Sequence, residues 1–211
     1  MKETKGPDLK PVLAFTGLYV VALAVAGRDA GPGQLVMYLG LMALLVPAFY
    51  GLHRRIPLSV PLLGCFSVWG LLHLAGGLLE SPGGWLRDGD FPLLYSWWLL
   101  PGRLRYDQLV HAYGFGLTAW LCWHLLKNSL RGSDGGPLRP TWGVLGLCVI
   151  AGIGFGALNE TVEFITTRIL PDTGIGDYDN TGWDLVANLA GSLVAVMVIR
   201  RVDGSGSGRA L

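Results

Sequence analysis

Charge is scarce in this chain: of 211 residues only 15% are Asp, Glu, Lys or Arg, while 51% are hydrophobic. No Lys/Arg patch suited to a phosphate backbone exists, which argues against a nucleic-acid partner. Cysteine is also sparse. Cys65, Cys122 and Cys148 all fall in apolar segments without a C-x-x-C pair, so they read as small buried hydrophobes and imply neither a disulfide framework nor a zinc site. No G-x-S-x-G and no H-E-x-x-H occurs. The glycines at 152–156 (G-I-G-F-G) lie inside an apolar run rather than between strand and helix, which excludes a nucleotide loop. D-Y-D-N-T-G (177–182) has three positions of a calcium loop, but its twelfth position is Asn188 and it runs into an apolar span.

What is abundant is apolar length. The mean hydropathy is +0.46 and there are 32 glycines. Six apolar runs, at about 11–27, 34–52, 60–79, 106–126, 142–164 and 182–199, are each near the length of a membrane crossing. The expected fold is all-α: a polytopic membrane protein, a bundle of six transmembrane helices. In the long 80–105 loop, Trp85, Tyr95, Trp97 and Trp98 predict one interfacial or re-entrant segment too short to span. Residues 1–10 form a cytoplasmic tail, 11–201 the six-helix domain and 202–211 a disordered cytoplasmic tail. The first run ends in A-L-A-V-A-G, which also suits a signal-peptide cleavage site; its length favours a retained helix.

Six crossings put the termini, the 53–59 loop and the 127–141 loop on one side, with 11 Lys and Arg against 5 on the other. The positive-inside rule makes the first side cytoplasmic, which suits the plasma (inner) membrane of a prokaryote. His53, beside Arg54 and Arg55 on that side, is expected to be solvated. Acidic residues do the reverse: 11 of 15 lie outside or at outer helix ends. His73 sits in the outer half of its helix. Asp107 and His111 begin theirs, Glu160 and Glu163 end theirs, and Asp184 and Asn188 begin theirs. All seven converge at one depth in the extracytoplasmic leaflet, where buried ionisable groups are functional candidates.

Three motifs carry a resemblance: Y-D-Q-L-V-H-A-Y-G (106–114), N-E-T-V-E-F (159–164) and D-N-T-G-W-D-L-V-A-N-L-A-G (179–191). Over roughly residues 35–200 the chain resembles the multi-pass bacterial and archaeal family typified by the inner membrane protein YjdF. More distantly it is similar to the VanZ-like group. The resemblance implies a membrane protein with a shared polar site and supplies no activity.

The residues suggest chemistry of their own. Oxygen-rich ligands with one or two imidazoles suit a divalent metal, its identity open. His73, His111, Glu160, Glu163 and Asp184 are the candidate ligands. Asp107, His111, Glu160, Glu163, Asp184 and Asn188 are the candidate catalytic set. Arg103, Arg105 and Arg168 are on the side where they would hold a substrate anion. The leading expectation is metal-assisted hydrolysis of a lipid-linked or envelope phosphate, with membrane lipid as the surrounding partner. A proton- or cation-coupled carrier and a non-catalytic accessory protein stand beside it. So does a bland reading in which these polar groups are interhelical hydrogen-bond glue.

Overall fold

The structure, a computed structural model, describes residues 8–89, 91–169 and 176–204. Among these are six α-helices: α1 (Lys10–Ala26), α2 (Pro32–Arg55), α3 (Val60–Leu78), α4 (Tyr106–Ser129), α5 (Trp142–Ile169) and α6 (Tyr178–Gly204). The expected 202–211 tail lies largely outside the described residues, and α6 extends into its first three positions. Four helices, α2, α3, α5 and α6, are long and apolar enough to cross a membrane, whereas α1 has only 17 residues. α4 has the length, at 24 residues, but no membrane-length stretch of it is apolar enough to join them.

The helix ends follow from local chemistry. Pro at the first positions of α1, α2 and α3 fixes φ without removing a needed donor. The Ser59 hydroxyl accepts the Leu62 amide at the start of α3, and the Asp177 carboxylate accepts the Asn180 amide at the start of α6. Residues 178–182, which overlap the partial calcium-loop pattern, are the first turn of a helix. Pro47 sits inside α2, where it removes one backbone bond, a defect membrane helices tolerate.

The 80–105 segment adds a feature that an all-α reading lacks. A short antiparallel pair, β1 (Trp98–Leu100) and β2 (Leu104–Arg105), closes through a turn at Gly102, whose φ of +65° suits a residue without Cβ. Isolated bridges from Glu80 to Leu93 and from Arg87 to Trp97 tie the loop together. Trp85 stacks on Trp97 at 4.0 Å between ring centroids, and Trp97 stacks on Tyr106. The aromatic content that suggests an interfacial piece therefore goes into holding a compact loop.

The chain divides into two compact units, residues 1–107 and 108–211, with the junction in the first turn of α4. The first unit packs α1, α2 and α3 around Tyr19, Leu23, Tyr38, Met42, Leu74 and Leu78. Its glycines receive aromatic rings. A Cβ on Gly77 would collide with the Tyr38 ring, and one on Gly76 would lie 2.6 Å from Tyr95. In the second unit Trp123, Leu145, Cys148, Val149, Val196 and Ile199 form an apolar core. Large apolar side chains such as Ile150, Leu158, Val162, Val186 and Val194 point outward, each more than half exposed. Polar residues face inward instead, the distribution expected of helices bathed in lipid.

Candidate functional site

The site is built on two four-residue ladders. On α5, Cys148, Gly152, Gly156 and Glu160 recur every fourth position and are all buried. On α6, Asn180, Asp184, Asn188 and Ser192 do the same, with Asp184, Asn188 and Ser192 fully buried. A four-residue step returns to one helical face, and such ridges interlock between neighbouring helices. The register is fixed at two points. A Cβ on Gly156 would meet the Asn188 amide, and one on Gly152 would meet the Ser192 hydroxyl. The helices run antiparallel, so one further step along both ladders brings Glu160 level with Asp184.

α4 joins through its own small residues. Gly191 of α6 lies so close to Ala112 that a Cβ would strike the Ala112 carbonyl, and a Cβ on Gly116 would sit 2.8 Å from the Gly191 carbonyl. Close backbone approach of this kind brings short polar side chains into reach across the interface. His111, one residue before Ala112, thereby enters the cluster. Its Nδ1 lies 3.2 Å from Asn188 Oδ1 and 3.6 Å from Glu160 Oε1. Both neighbours are acceptors, so a proton on Nδ1 satisfies them, and in the neutral ring that leaves the lone pair on Nε2.

The remaining acids have supports as well. Asn180 Nδ2 donates to Asp184 Oδ2 one turn away on α6. Asn159 Nδ2 donates to Glu163 Oε1 at 2.7 Å. One ligand atom each from His111, Glu160 and Glu163 falls within 4.8 Å of the others, with His111 and Glu160 buried and Glu163 half-buried. Two glutamates and an imidazole are hard and borderline donors, a set that Mn²⁺, Fe²⁺ or Zn²⁺ accepts.

Five of the expected catalytic and metal-ligating residues thus belong to the second unit: His111, Glu160, Glu163, Asp184 and Asn188. Asp107 closes the first unit, one turn before His111 on α4. His73 lies in the first unit, among aromatic rings. It stacks on Trp69 at 5.0 Å, and the Tyr95 hydroxyl sits 2.5 Å from its Nδ1. Arg105 is buried and paired with Asp88 at 2.8 Å, with the Trp98 ring 5.8 Å away. Arg103 is exposed in the β1–β2 turn, and exposed Arg168 rests over the Phe164 ring at 5.0 Å. Asn180 and Ser192 are site residues that the sequence reading leaves out, although their spacing from Asp184 and Asn188 would have found them. His53, expected to be solvated, is half-buried and accepts the Leu58 amide at 3.0 Å.

A membrane-protein family accounts for this arrangement of apolar exterior and polar interior. The chain belongs to the family described as "Predicted membrane protein (DUF2238)", which matches residues 11–204. No curated protein and no solved structure matches it.

Proposed function

We propose that the second unit binds a divalent cation through His111, Glu160 and Glu163 and uses it to hydrolyse a lipid-linked or envelope phosphate. The observation that carries the reading is the convergence of ligand atoms from His111, Glu160 and Glu163 within 4.8 Å of one another, inside helices whose outer faces are apolar. Carboxylates crowded in a low-dielectric interior call for a compensating cation. Asn188 fixes the imidazole ring of His111, and Asn159 steadies Glu163. A bound cation would polarise a phosphoryl oxygen and make a water more acidic. Asp184 is then the candidate to take the proton of that water. Arg168, on the same helix as both glutamates, is the best-supported anion holder, since Arg105 is committed to Asp88. Arg103 and His73 belong to the other unit and are not assigned to the ion.

In the proposed topology all six helices cross the membrane, both termini are cytoplasmic, and the site opens to the outer leaflet of a prokaryotic plasma membrane. The three motifs shared with the family typified by YjdF and with VanZ-like proteins support one common site. A second reading, a proton- or cation-coupled carrier, draws on the same cluster, because a shared proton also satisfies the neighbouring carboxylates of Glu160 and Glu163. One experiment separates the two. Purified protein is assayed for metal and for release of inorganic phosphate from lipid-linked phosphates, alongside Glu160→Gln. The hydrolase reading expects about one divalent ion per chain and turnover, both lost in the variant. Metal-free protein without turnover sinks it and leaves the carrier.

A further inference from the structure

The first unit contains a groove of its own between α1, α2 and α3. Its open end is marked by Leu9, His53 and Leu63, and its inner end by Tyr19, Met42 and Gly70. From Leu9 to Tyr19 the helix rises about 15 Å, the hydrocarbon depth of one leaflet. The walls are aliphatic and aromatic, and the two small hydroxyls among them engage each other. Thr16 donates to the Val12 carbonyl at 2.8 Å, and Thr16 and Ser67 oxygens lie 2.6 Å apart. Such walls offer a polar ligand little and suit hydrocarbon.

The rim has the opposite character. Lys10, Arg54 and Arg55 stand exposed at the open end, and His53 Nδ1 is committed to the Leu58 amide. Asp8 is the one acid among the described residues here, and its carboxylate accepts the Lys10 amide at 3.1 Å. We propose that this groove seats one acyl chain of an anionic phospholipid, with the headgroup phosphate against Lys10, Arg54 and Arg55. A second copy of the chain in the same membrane orientation would bring the same basic end to this rim, and like charges oppose that contact. Lipid of opposite charge has no such penalty, and basic residues beside a membrane surface favour anionic headgroups.

Trp69 lines the groove and reports on it. Full-length protein is reconstituted in vesicles of phosphatidylcholine carrying a small fraction of either phosphatidylglycerol or phosphatidylcholine brominated along the acyl chain. The Trp69 contribution to quenching is the difference between wild type and Trp69→Phe. The expected result is half-saturation at about tenfold lower mole fraction for the brominated phosphatidylglycerol. Arg54→Gln with Arg55→Gln should remove that preference while leaving quenching by brominated phosphatidylcholine intact. Val46→Trp, which fills the groove, should abolish saturable Trp69 quenching without altering the melting temperature. Equal quenching by the two lipids in wild type overturns the proposal. So does the absence of Trp69 quenching by either lipid, which would mean that protein covers the groove.

Discussion

Both units use glycine to bring helices together, and they fill the resulting space differently. In the first unit three of the four glycines of α3 receive tyrosines: the Tyr38 ring at Gly77, the Tyr95 ring at Gly76, and the Tyr19 hydroxyl at Gly70. In the second they receive backbone and short polar side chains: Ala112 at Gly191, Asn188 at Gly156 and Ser192 at Gly152. An aromatic ring fills a glycine notch with hydrocarbon and offers a polar ligand few partners. A short amide or hydroxyl fills it with hydrogen-bonding capacity and brings the next polar residue along. One device thus yields a scaffold in one half and a candidate site in the other. A glycine in a membrane helix is defined by what faces it.

The largest expected effect sharpens that contrast. Gly191→Ala drives a methyl into the Ala112 backbone carbonyl, and backbone cannot swing aside. Gly77→Ala meets the edge of the Tyr38 ring, which can rotate with some loss of packing. We expect the first to destabilise by about 3 kcal/mol or more and the second by about 1–2 kcal/mol, read as loss of melting temperature in detergent. Gly182→Ala, whose new methyl would meet nothing within 4 Å, is the control and should be neutral or slightly stabilising. Equal losses for Gly191 and Gly77 would break the distinction.

Next in size is the response to metal. If the cation binds only the folded second unit, Mn²⁺ or Zn²⁺ at a hundredfold excess over Kd should add about 2.7 kcal/mol, and chelator should remove it. Glu160→Gln should erase that gain, and Asp184→Asn, which removes a negative charge near the ion, should reduce it. Under the glue reading, Asp184→Asn keeps a hydrogen-bonding amide, lowers stability by about 1 kcal/mol or less, and leaves chelator without effect. A melting temperature indifferent to chelator and to Asp184→Asn would retire the metal.

A smaller effect tests the part Asn188 plays. Asn188→Ala removes the acceptor that holds His111 Nδ1–H, at a loss of about 1–2 kcal/mol. Metal affinity should fall as well, because the ring is then free to turn away. Gly156→Ala should reproduce the affinity loss by displacing the Asn188 amide without touching any ligand. Unchanged affinity in both variants would show that Asn188 serves packing alone.

Much of this is legible in the sequence. Six apolar runs become six helices among the described residues, four of them long and apolar enough to cross a membrane, and several boundaries fall at Pro, Ser and Gly as capping chemistry requires. The face bearing Gly152, Gly156 and Glu160 is visible as a four-residue series. The matching α6 series is only half visible, because Asn180 and Ser192 lack the charge that draws attention to Asp184. The 80–105 loop is less legible: its short strands hold by a few backbone bonds and aromatic stacking, which leave no periodicity to read. The surroundings of His73 are not legible at all. Its partner Tyr95 comes from that loop, and nothing in the spacing of 22 residues announces the contact.

The smallest effect concerns that contact and separates the two units most directly. Tyr95→Phe keeps the ring packed on Gly76 and deletes only the hydroxyl, which sits 2.5 Å from His73 Nδ1 and donates to the His73 carbonyl at 3.1 Å. Losing one net hydrogen bond should lower stability by about 1 kcal/mol. His73 keeps its stacking on Trp69, so the first unit should stay folded. Because the proposed ligands all lie in the second unit, metal stoichiometry and the chelator-induced shift should not change. His73→Gln should behave alike, with a somewhat larger loss from the missing ring. A fall in bound metal in either variant, at unchanged fold by circular dichroism, would make His73 a ligand and end the division between an aromatic scaffold and a polar site.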